Sequence, residues 1–300
     1  MCGIVGFWSP GVDLPSEIIY NMAASVAHRG PDSQGVWKDE QHGLALGHRR
    51  LSILDLSEAG SQPMATQNER LVLVYNGEIY NHQELRRELY SEGATSEWRG
   101  HSDSETLLVA LQHWGIESAL QRVNGMFAFA LWDKAEQTLF LARDRMGEKP
   151  LYYGRGKGTF FFGSETKSFF FHPQWQGEVD RDALALYLRY SYVPAPWSIY
   201  KGILKLPPAH FVAIRKGGRE IGQPTCYWDL SKVAENGSLE ASGESEALTE
   251  ELDLLLRDAV KRRMASDVPR GAFLSGGCDS STVVALMQSQ SEHPIKTFSI

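Results

Sequence analysis

The opening residues Met1-Cys2-Gly3-Ile4-Val5-Gly6-Phe7 constrain this chain more than any other stretch. Gly3–Trp8 is short, apolar and β-branched and is stopped by Ser9-Pro10-Gly11, so it reads as a buried strand ending in a turn. Cys2 leads straight into that strand. A small second side chain favours removal of the initiator methionine, and Cys2 then carries a thiol and a free α-amine on one carbon. An α-amine titrates near about 8, roughly two units below a lysine, so it accepts a proton near neutral pH. Nucleophile and base then sit in a single residue. A cysteine after Met1 also occurs by chance, and position alone does not separate the two readings.

Composition narrows the class. The chain has 300 residues, enough for two domains, with 42% hydrophobic and 22% charged side chains, as in soluble globular proteins. A net charge of −7 and a pI near 5.7 leave no basic footprint for nucleic acid and no polybasic segment for anionic lipid. The N-terminus lacks the basic and apolar regions of a signal peptide. No apolar run approaches the roughly 18 residues needed to span a bilayer. Cys2, Cys226 and Cys278 are too few and too far apart for a disulfide framework, which suits a reducing cytoplasm. A cytoplasmic enzyme without nucleic-acid or membrane partners is the expectation.

Further along, residues 16–26 carry apolar Ile18, Ile19, Met22 and Val26 at helical spacing, and 29–35 read as a loop. Residues 44–54 read as a strand with Arg49 and Arg50 at its centre, which leaves a solvated edge open as an explanation. Residues 71–75 form another strand, followed at once by Asn76-Gly77. That dipeptide usually marks a hairpin, yet the chain continues into the helical HQELRREL rather than a returning strand. The Asn76 amide and the Gly77 N–H can instead point at one oxygen as an oxyanion-hole pair, glycine allowing the close approach. Residues 101–106 are polar and open a helix over 106–114, where acidic side chains complement the helix dipole. Strands are expected at 124–133, 137–143 and 159–163, with 144–153 as a turn-rich connection. So many strands with few helices imply a large sheet or a pair of sheets.

The strings MCGIVGF, HRGPDSQG, GHRRLSILDLS, QPM, YNGEIYNHQELR, HSDSETLL, GMFAFALWD, RDRMGEKPLYYG and FGSETKS occur in an order that resembles class II (N-terminal cysteine) glutamine amidotransferase domains. They are similar in particular to the domain that begins glutamine-hydrolysing asparagine synthetases, over residues 2 to 210. The resemblance implies an α+β four-layer αββα Ntn-hydrolase sandwich and assigns roles. Cys2 attacks the glutamine side-chain amide, with Asn76 and Gly77 holding the oxyanion. Arg50, directly before Leu-Ser-Ile, grips the substrate α-carboxylate in preference to Arg49. Glu78 and Asp103 bind its α-ammonium, and Leu51, Ser52, Ile53 and Leu54 line the pocket.

In the second half, 187–196 is aromatic and then proline-broken, 201–210 reads as an extended connector, and 229–245 has the composition of a linker. Residues 245–264 show a helical apolar stripe that core packing explains. A strand at 271–274 then runs into Ser275-Gly276-Gly277-Cys278-Asp279-Ser280-Ser281 and a helix over 282–288. Strand, glycine-serine loop and helix form a phosphate-binding order. The loop lacks the Lys-Thr/Ser of a mononucleotide P-loop and the dinucleotide fingerprint. It resembles the SGGxDSS pyrophosphate loop of ATP pyrophosphatases, with Cys278 where leucine is usual. The resemblance implies ATP contacts from Leu274, Ser275, Gly276, Gly277, Asp279, Ser280, Ser281 and Ile300, with Asp279 the partner of Mg²⁺.

The whole is thus expected to be α/β: a glutaminase domain over 2–210, a connecting segment over 211–245, and the beginning of a doubly wound parallel ATP-pyrophosphatase domain over 246–300. Two parallel strands cannot bury both faces of a sheet, so a longer protein is expected. Glutamine, ATP and aspartate or another carboxylate are the expected small-molecule partners, and a homodimer is among the expectations. The rival readings are a relative that amidates a different carboxylate, a glucosamine-6-phosphate synthase-like or amidophosphoribosyltransferase-like enzyme, and a non-catalytic homologue. The SGGCDSS loop opposes the second of these, and the retained Cys2, Arg50, Asn76, Gly77 and Asp103 oppose the third.

Overall fold

The computed structural model describes every residue except Asp13, Ser96, 241–244 and Ile300, so the contact expected of Ile300 lies outside the described residues. The chain divides into two compact units. The first comprises Met1–Ser52 and Ser57–Trp228; the second comprises Ile53–Leu56 together with the residues from Asp229 onward.

In chain order the first unit contains β1 (Gly3–Trp8), α1 (Ser16–Ala24), β2 (Ser33–Asp39), β3 (Leu44–Arg50), β4 (Met64–Ala65), β5 (Leu71–Ile79), α2 (His82–Ser91) and α3 (Asp103–Arg122). There follow β6 (Gly125–Asp133), β7 (Thr138–Arg143), β8 (Tyr152–Gly156), β9 (Thr159–Gly163), α4 (Arg181–Tyr190), β10 (Ile203–Lys205), β11 (His210–Arg215), β12 (Glu220–Ile221) and β13 (Thr225–Cys226). One antiparallel sheet runs β10-β8-β9-β1-β3-β2. The other runs β12-β11-β7-β6-β5-β4, with β13 also on β11.

Alternation along each strand assembles the layers, because successive side chains leave opposite faces. On β1, Ile4 and Trp8 enter the core between the sheets, where they meet Leu44, Leu46, Val72, Val74, Ala130 and Trp132. Val5 and Phe7, from the other face, pack with Ile19, Met22 and Ala23 of α1. Leu73, Tyr75 and Phe129 leave the far side of the second sheet to meet Leu85, Leu107 and Leu111 of α2 and α3. The order is helix, sheet, sheet, helix, the αββα sandwich anticipated from the sequence. Trp8 and Trp132 meet edge-to-face across the sheets with centroids 4.9 Å apart, a geometry that contributes about 0.5–1.5 kcal/mol beyond burial. Gly6 is small because a Cβ there would lie 2.2 Å from the Phe162 ring.

Several local readings differ from the structure. Residues 33–35, read as loop, begin β2, whose polar sequence suits an edge strand and hides the two-residue period. Strand β3 lies between β1 and β2, so its arginines are not on a solvated edge. Tyr152 and Tyr153 start β8 inside the expected turn-rich connection, and α4 precedes the proline-broken segment. Strand β11 pairs with β7 from Phe211↔Ala142 to Ile214↔Leu139, so the sheet continues past residue 210 and the first unit closes at Trp228.

The second unit holds α5 (Leu230–Glu240), α6 (Ser245–Arg263), β14 (Gly271–Phe273), α7 (Cys278–Ser289) and β15 (Lys296–Phe298). Helix α5 occupies most of the stretch whose composition read as linker. Strands β14 and β15 are parallel and joined through α7, a βαβ unit. Within this unit the Asp267 N–H donates to the Ile53 carbonyl at 2.9 Å, and its carboxylate accepts from the Asp55 N–H at 2.8 Å. Among the described residues no helix is long and apolar enough to cross a membrane.

Candidate active site

The strand parity that builds the inter-sheet core also gathers the candidate residues. Ile4 and Trp8 face inward on β1, and Cys2 continues the same parity. Leu44 and Leu46 face inward on β3, which puts His48 and Arg50 on the same side. Val72 and Val74 do so on β5, followed by Asn76 and Glu78. Gly3 pairs with Arg49, so the antiparallel register brings Cys2 level with Arg50. Burial lowers the pKa of His48 to about 4, leaving a neutral ring whose Nε2–H donates to the Tyr75 carbonyl at 3.0 Å. That bond locks β3 of one sheet to β5 of the other beside these residues.

Cys2 Sγ accepts from the Leu51 N–H at 3.3 Å and lies 3.6 Å from the Leu51 carbonyl, to which the thiol donates. Burial pushes the thiol pKa up; the Leu51 N–H, the chain's terminal amine and Arg50 pull it down, and Asp103 pushes it up. Met1 is 55% exposed.

Asn76 is 1% exposed, yet neither its Nδ2 nor its Oδ1 has a hydrogen-bond partner among the described residues. A buried polar group left unsatisfied costs about 1–3 kcal/mol, and such a cost in a native protein calls for an explanation. Beside it, Gly77 pairs with Phe127, and a Cβ there would sit 2.3 Å from the Met126 carbonyl and 2.7 Å from the Phe127 Cα. No other residue fits without moving β6.

The two arginines separate by face. Arg49 donates to the Gly30 carbonyl at 2.8 Å and to Gln34 Oε1 at 2.9 Å, bonds that tie down the following loop and β2. Arg50 is 7% exposed on the inner face, with one guanidinium nitrogen 2.8 Å from the Ser57 carbonyl. Asp103, in the first turn of α3, accepts from the Tyr75 hydroxyl at 2.7 Å and the Ile79 N–H at 2.9 Å. Burial raises its pKa, and these two bonds hold it down. Glu78 interacts electrostatically with the terminal amine, Tyr75 and Lys149. The Ser52 N–H donates to Asp32 at 2.7 Å. Ile53 and Leu54 instead group with the second unit.

Three residues at this end of the sandwich were not singled out from the sequence. Tyr75 looked like an ordinary strand residue, and its hydroxyl grips Asp103. Arg29 donates from Nε to Glu165, while its Nη1 is buried without a partner. Lys149 is 5% exposed within the stretch read as a turn-rich connection. Only the charge of the last two, set in strings rich in glycine and proline, hinted at them.

In the second unit, Leu274 directly follows β14, its N–H donating to Phe298 O at 2.8 Å and its carbonyl accepting from Ser299 Oγ at 2.7 Å. Ser275, Gly276 and Gly277 form the loop, with Gly276 at a φ of +83° that favours glycine. Gly277 caps α7 without a side chain, leaving the first-turn N–H groups uncapped. Asp279, Ser280 and Ser281 lie in that first turn rather than in a loop, and Ser275 Oγ is 3.1 Å from Ser280 Oγ. Cys278 starts the helix and is exposed. No group of three or more His, Cys, Asp or Glu among the described residues is placed to hold a metal ion.

Residues 1–228 match the family described as glutamine amidotransferase domain, and 251–300 match the family described as asparagine synthase. The chain is similar to the glutamine-hydrolyzing asparagine synthetase 3 of Bacillus subtilis, 35% identical over 100% of this chain and 48% of that protein. It is also similar to the amidase chry2 of Gibberella zeae, 36% identical over 96% of this chain and 43% of that one. The chain therefore spans about half the length of the curated relatives it matches. Among solved structures it resembles glutamine phosphoribosylpyrophosphate amidotransferase from B. subtilis, with a TM-score of 0.55 and 19% identity over 76% of this chain and 49% of that chain. That likeness supports the fold.

Proposed function

Because this chain belongs to the glutamine amidotransferase family, we propose that its first unit hydrolyses glutamine to glutamate and ammonia at Cys2. The observation that carries the reading is the buried Asn76 amide with no partner of its own, next to the backbone of Gly77. An amide aimed at no protein atom is the donor an oxyanion needs, since it loses nothing when the charge develops. The thiol proton of trimmed Cys2 passes to its own α-amine as sulfur bonds to the amide carbon of glutamine. Asn76 and the Gly77 N–H hold the resulting oxyanion. The ammonium then returns its proton to the departing nitrogen, releasing ammonia and leaving a thioester. Water, with the amine again as base, cleaves the thioester to glutamate and frees the thiol.

Arg50 supplies the planar fork for the substrate α-carboxylate, and Glu78 and Asp103 the charge for its α-ammonium. Arg49 spends its guanidinium on Gly30 and Gln34. Arg50→Ala is therefore expected to raise the glutamine KM at least ~30-fold, about 2 kcal/mol for a charge-assisted pair, with a smaller effect on kcat. Arg49→Ala should leave KM within a fewfold and lower thermal stability instead. Equal KM changes in steady-state assays would reverse the assignment.

In the complete protein the ammonia is used in an ATP-dependent amidation of aspartate, giving asparagine, AMP and pyrophosphate. Leu274, Ser275, Gly276, Gly277, Asp279, Ser280 and Ser281 would bind ATP; the uncapped N–H groups of α7 and the open loop suit a pyrophosphate. Magnesium asks for one or two carboxylates plus phosphate oxygens, and Asp279 in that first turn supplies one. A second reading is amidation of a different carboxylate, because only residues 251–300 match the asparagine synthase family. An acceptor screen on the complete protein, scoring AMP release with glutamine and ATP, decides between them: release with aspartate alone supports the first, and release only with another acid supports the second. A cytoplasmic location and a homodimer belong to this same proposal.

A further inference from the structure

Asp144 is a wholly buried acid for which the reaction above has no task. Its carboxylate is taken up by backbone donors. One oxygen accepts from the N–H groups of Met146 at 3.1 Å and Glu148 at 2.9 Å, the other from those of Lys149 at 3.0 Å and Phe127 at 3.2 Å. The first three close the turn that follows β7. The fourth reaches back to β6, and there it completes a strand pairing. Ala128 pairs with Arg143 at the end of β7, so Phe127 stands opposite Asp144, whose N–H donates to the Phe127 carbonyl at 2.8 Å. A regular antiparallel ladder would return the Phe127 N–H to the Asp144 carbonyl. That carbonyl is turned instead to the N–H groups of Gly147 at 3.1 Å and Ala209 at 2.8 Å. The carboxylate takes its place.

Phe127 therefore directs both backbone groups toward β7, and its pair with Gly77 on β5 is of the non-hydrogen-bonded kind. The Gly77 N–H then points away from β6. The N–H groups two residues to either side agree in phase: Tyr75 donates to Gln62 Oε1 at 2.6 Å and Ile79 to Asp103 at 2.9 Å. Gly77 lies between them, on an edge that β4 pairs only as far as Leu73. The contact with Phe127 is also steric, since a Cβ on Gly77 would lie 2.7 Å from the Phe127 Cα. The Phe127 backbone is the wall on which Gly77 rests. Resting on the glutaminase reading, we propose that Asp144 is a positioning residue of that site: its carboxylate holds Phe127 so that the Gly77 N–H is presented to the oxyanion. A donor displaced by a fraction of an ångström loses much of its value in the transition state and little in the ground state.

The test is the split between kcat and KM for glutamine hydrolysis by the full chain with Met1 removed. Asp144→Ala is expected to lower kcat about 10- to 100-fold and to leave KM within about threefold. The control is Arg143→Gln. Arg143 braces the same turn through the carbonyls of Lys149 at 2.7 Å, Leu206 at 2.7 Å and Gly147 at 2.6 Å, and its guanidinium does not hold Phe127. Loosening the turn from that side should lower thermal stability and keep kcat within about threefold. If the alanine variant does not fold by circular dichroism, Asp144→Asn, which keeps the shape and one acceptor oxygen, takes its place with the same expectation. An unchanged kcat, a KM raised as much as kcat is lowered, or an equal loss of kcat in Arg143→Gln overturns the role of Asp144 alone. An unaltered chain that fails to hydrolyse glutamine overturns the glutaminase reading and this proposal with it.

Discussion

Cys2→Ala is expected to remove glutamine hydrolysis down to background, a loss approaching the order of 10⁶ found when a catalytic nucleophile is deleted. The alanine variant keeps the α-amine, Arg50 and the oxyanion donors, so it should still bind glutamine, measurable by calorimetry. In the complete protein it should also retain synthesis from free ammonia, because the amidation has its own site. Loss of both activities would contradict separate sites. A sharper version leaves the thiol in place and keeps Met1 attached. The nitrogen of Cys2 is then an amide with no useful basicity, and hydrolysis should fall as far as in the alanine variant. A Met1-retaining chain, verified by mass spectrometry and still active, would refute the amine as base.

Asn76→Ala should lower kcat about 10²–10³-fold, some 3–4 kcal/mol of barrier, with little change in KM. The split follows from when the interaction exists: the amide gains its partner only as the oxyanion forms, so ground-state binding is hardly affected. The same buried, unpartnered amide makes an opposite prediction for stability. Asn76→Leu, close to it in volume, replaces an unsatisfied polar group with an apolar one facing Val74 and its neighbours. Its melting temperature should therefore rise while its activity is lost. A variant that is both inactive and less stable, with KM raised as much as kcat is lowered, would mean that Asn76 is a structural residue.

The proposed chemistry of the site could be read where residue types follow one another along the chain. Cys2 before an apolar strand and Asn76-Gly77 directly after the strand read over 71–75 announce themselves locally, whereas Arg50, read at the centre of a strand, was picked out by the family resemblance. The choice between Arg49 and Arg50 was less secure. It depends on which face of β3 looks inward, and a strand flanked on both sides presents its arginines differently from an edge. Arg29, Tyr75 and Lys149 were missed for a related reason. Each is ordinary in its own window, and the side chains of Tyr75 and Arg29 are held by partners far along the sequence, Asp103 and Glu165.

The sequence by itself determined the alternation along each strand and the covalent reagents at its ends, since both depend on neighbours one or two positions away. The phosphate-type loop before α7 belongs with these, because glycines at fixed offsets decide its backbone. Only the tertiary structure decided that β1, β3 and β5 bring those ends to one place. Their pairings join residues dozens of positions apart, Gly3 with Arg49 and His48 with Tyr75. Such contacts are selected by burying the core between two sheets, a condition that no short window of sequence contains.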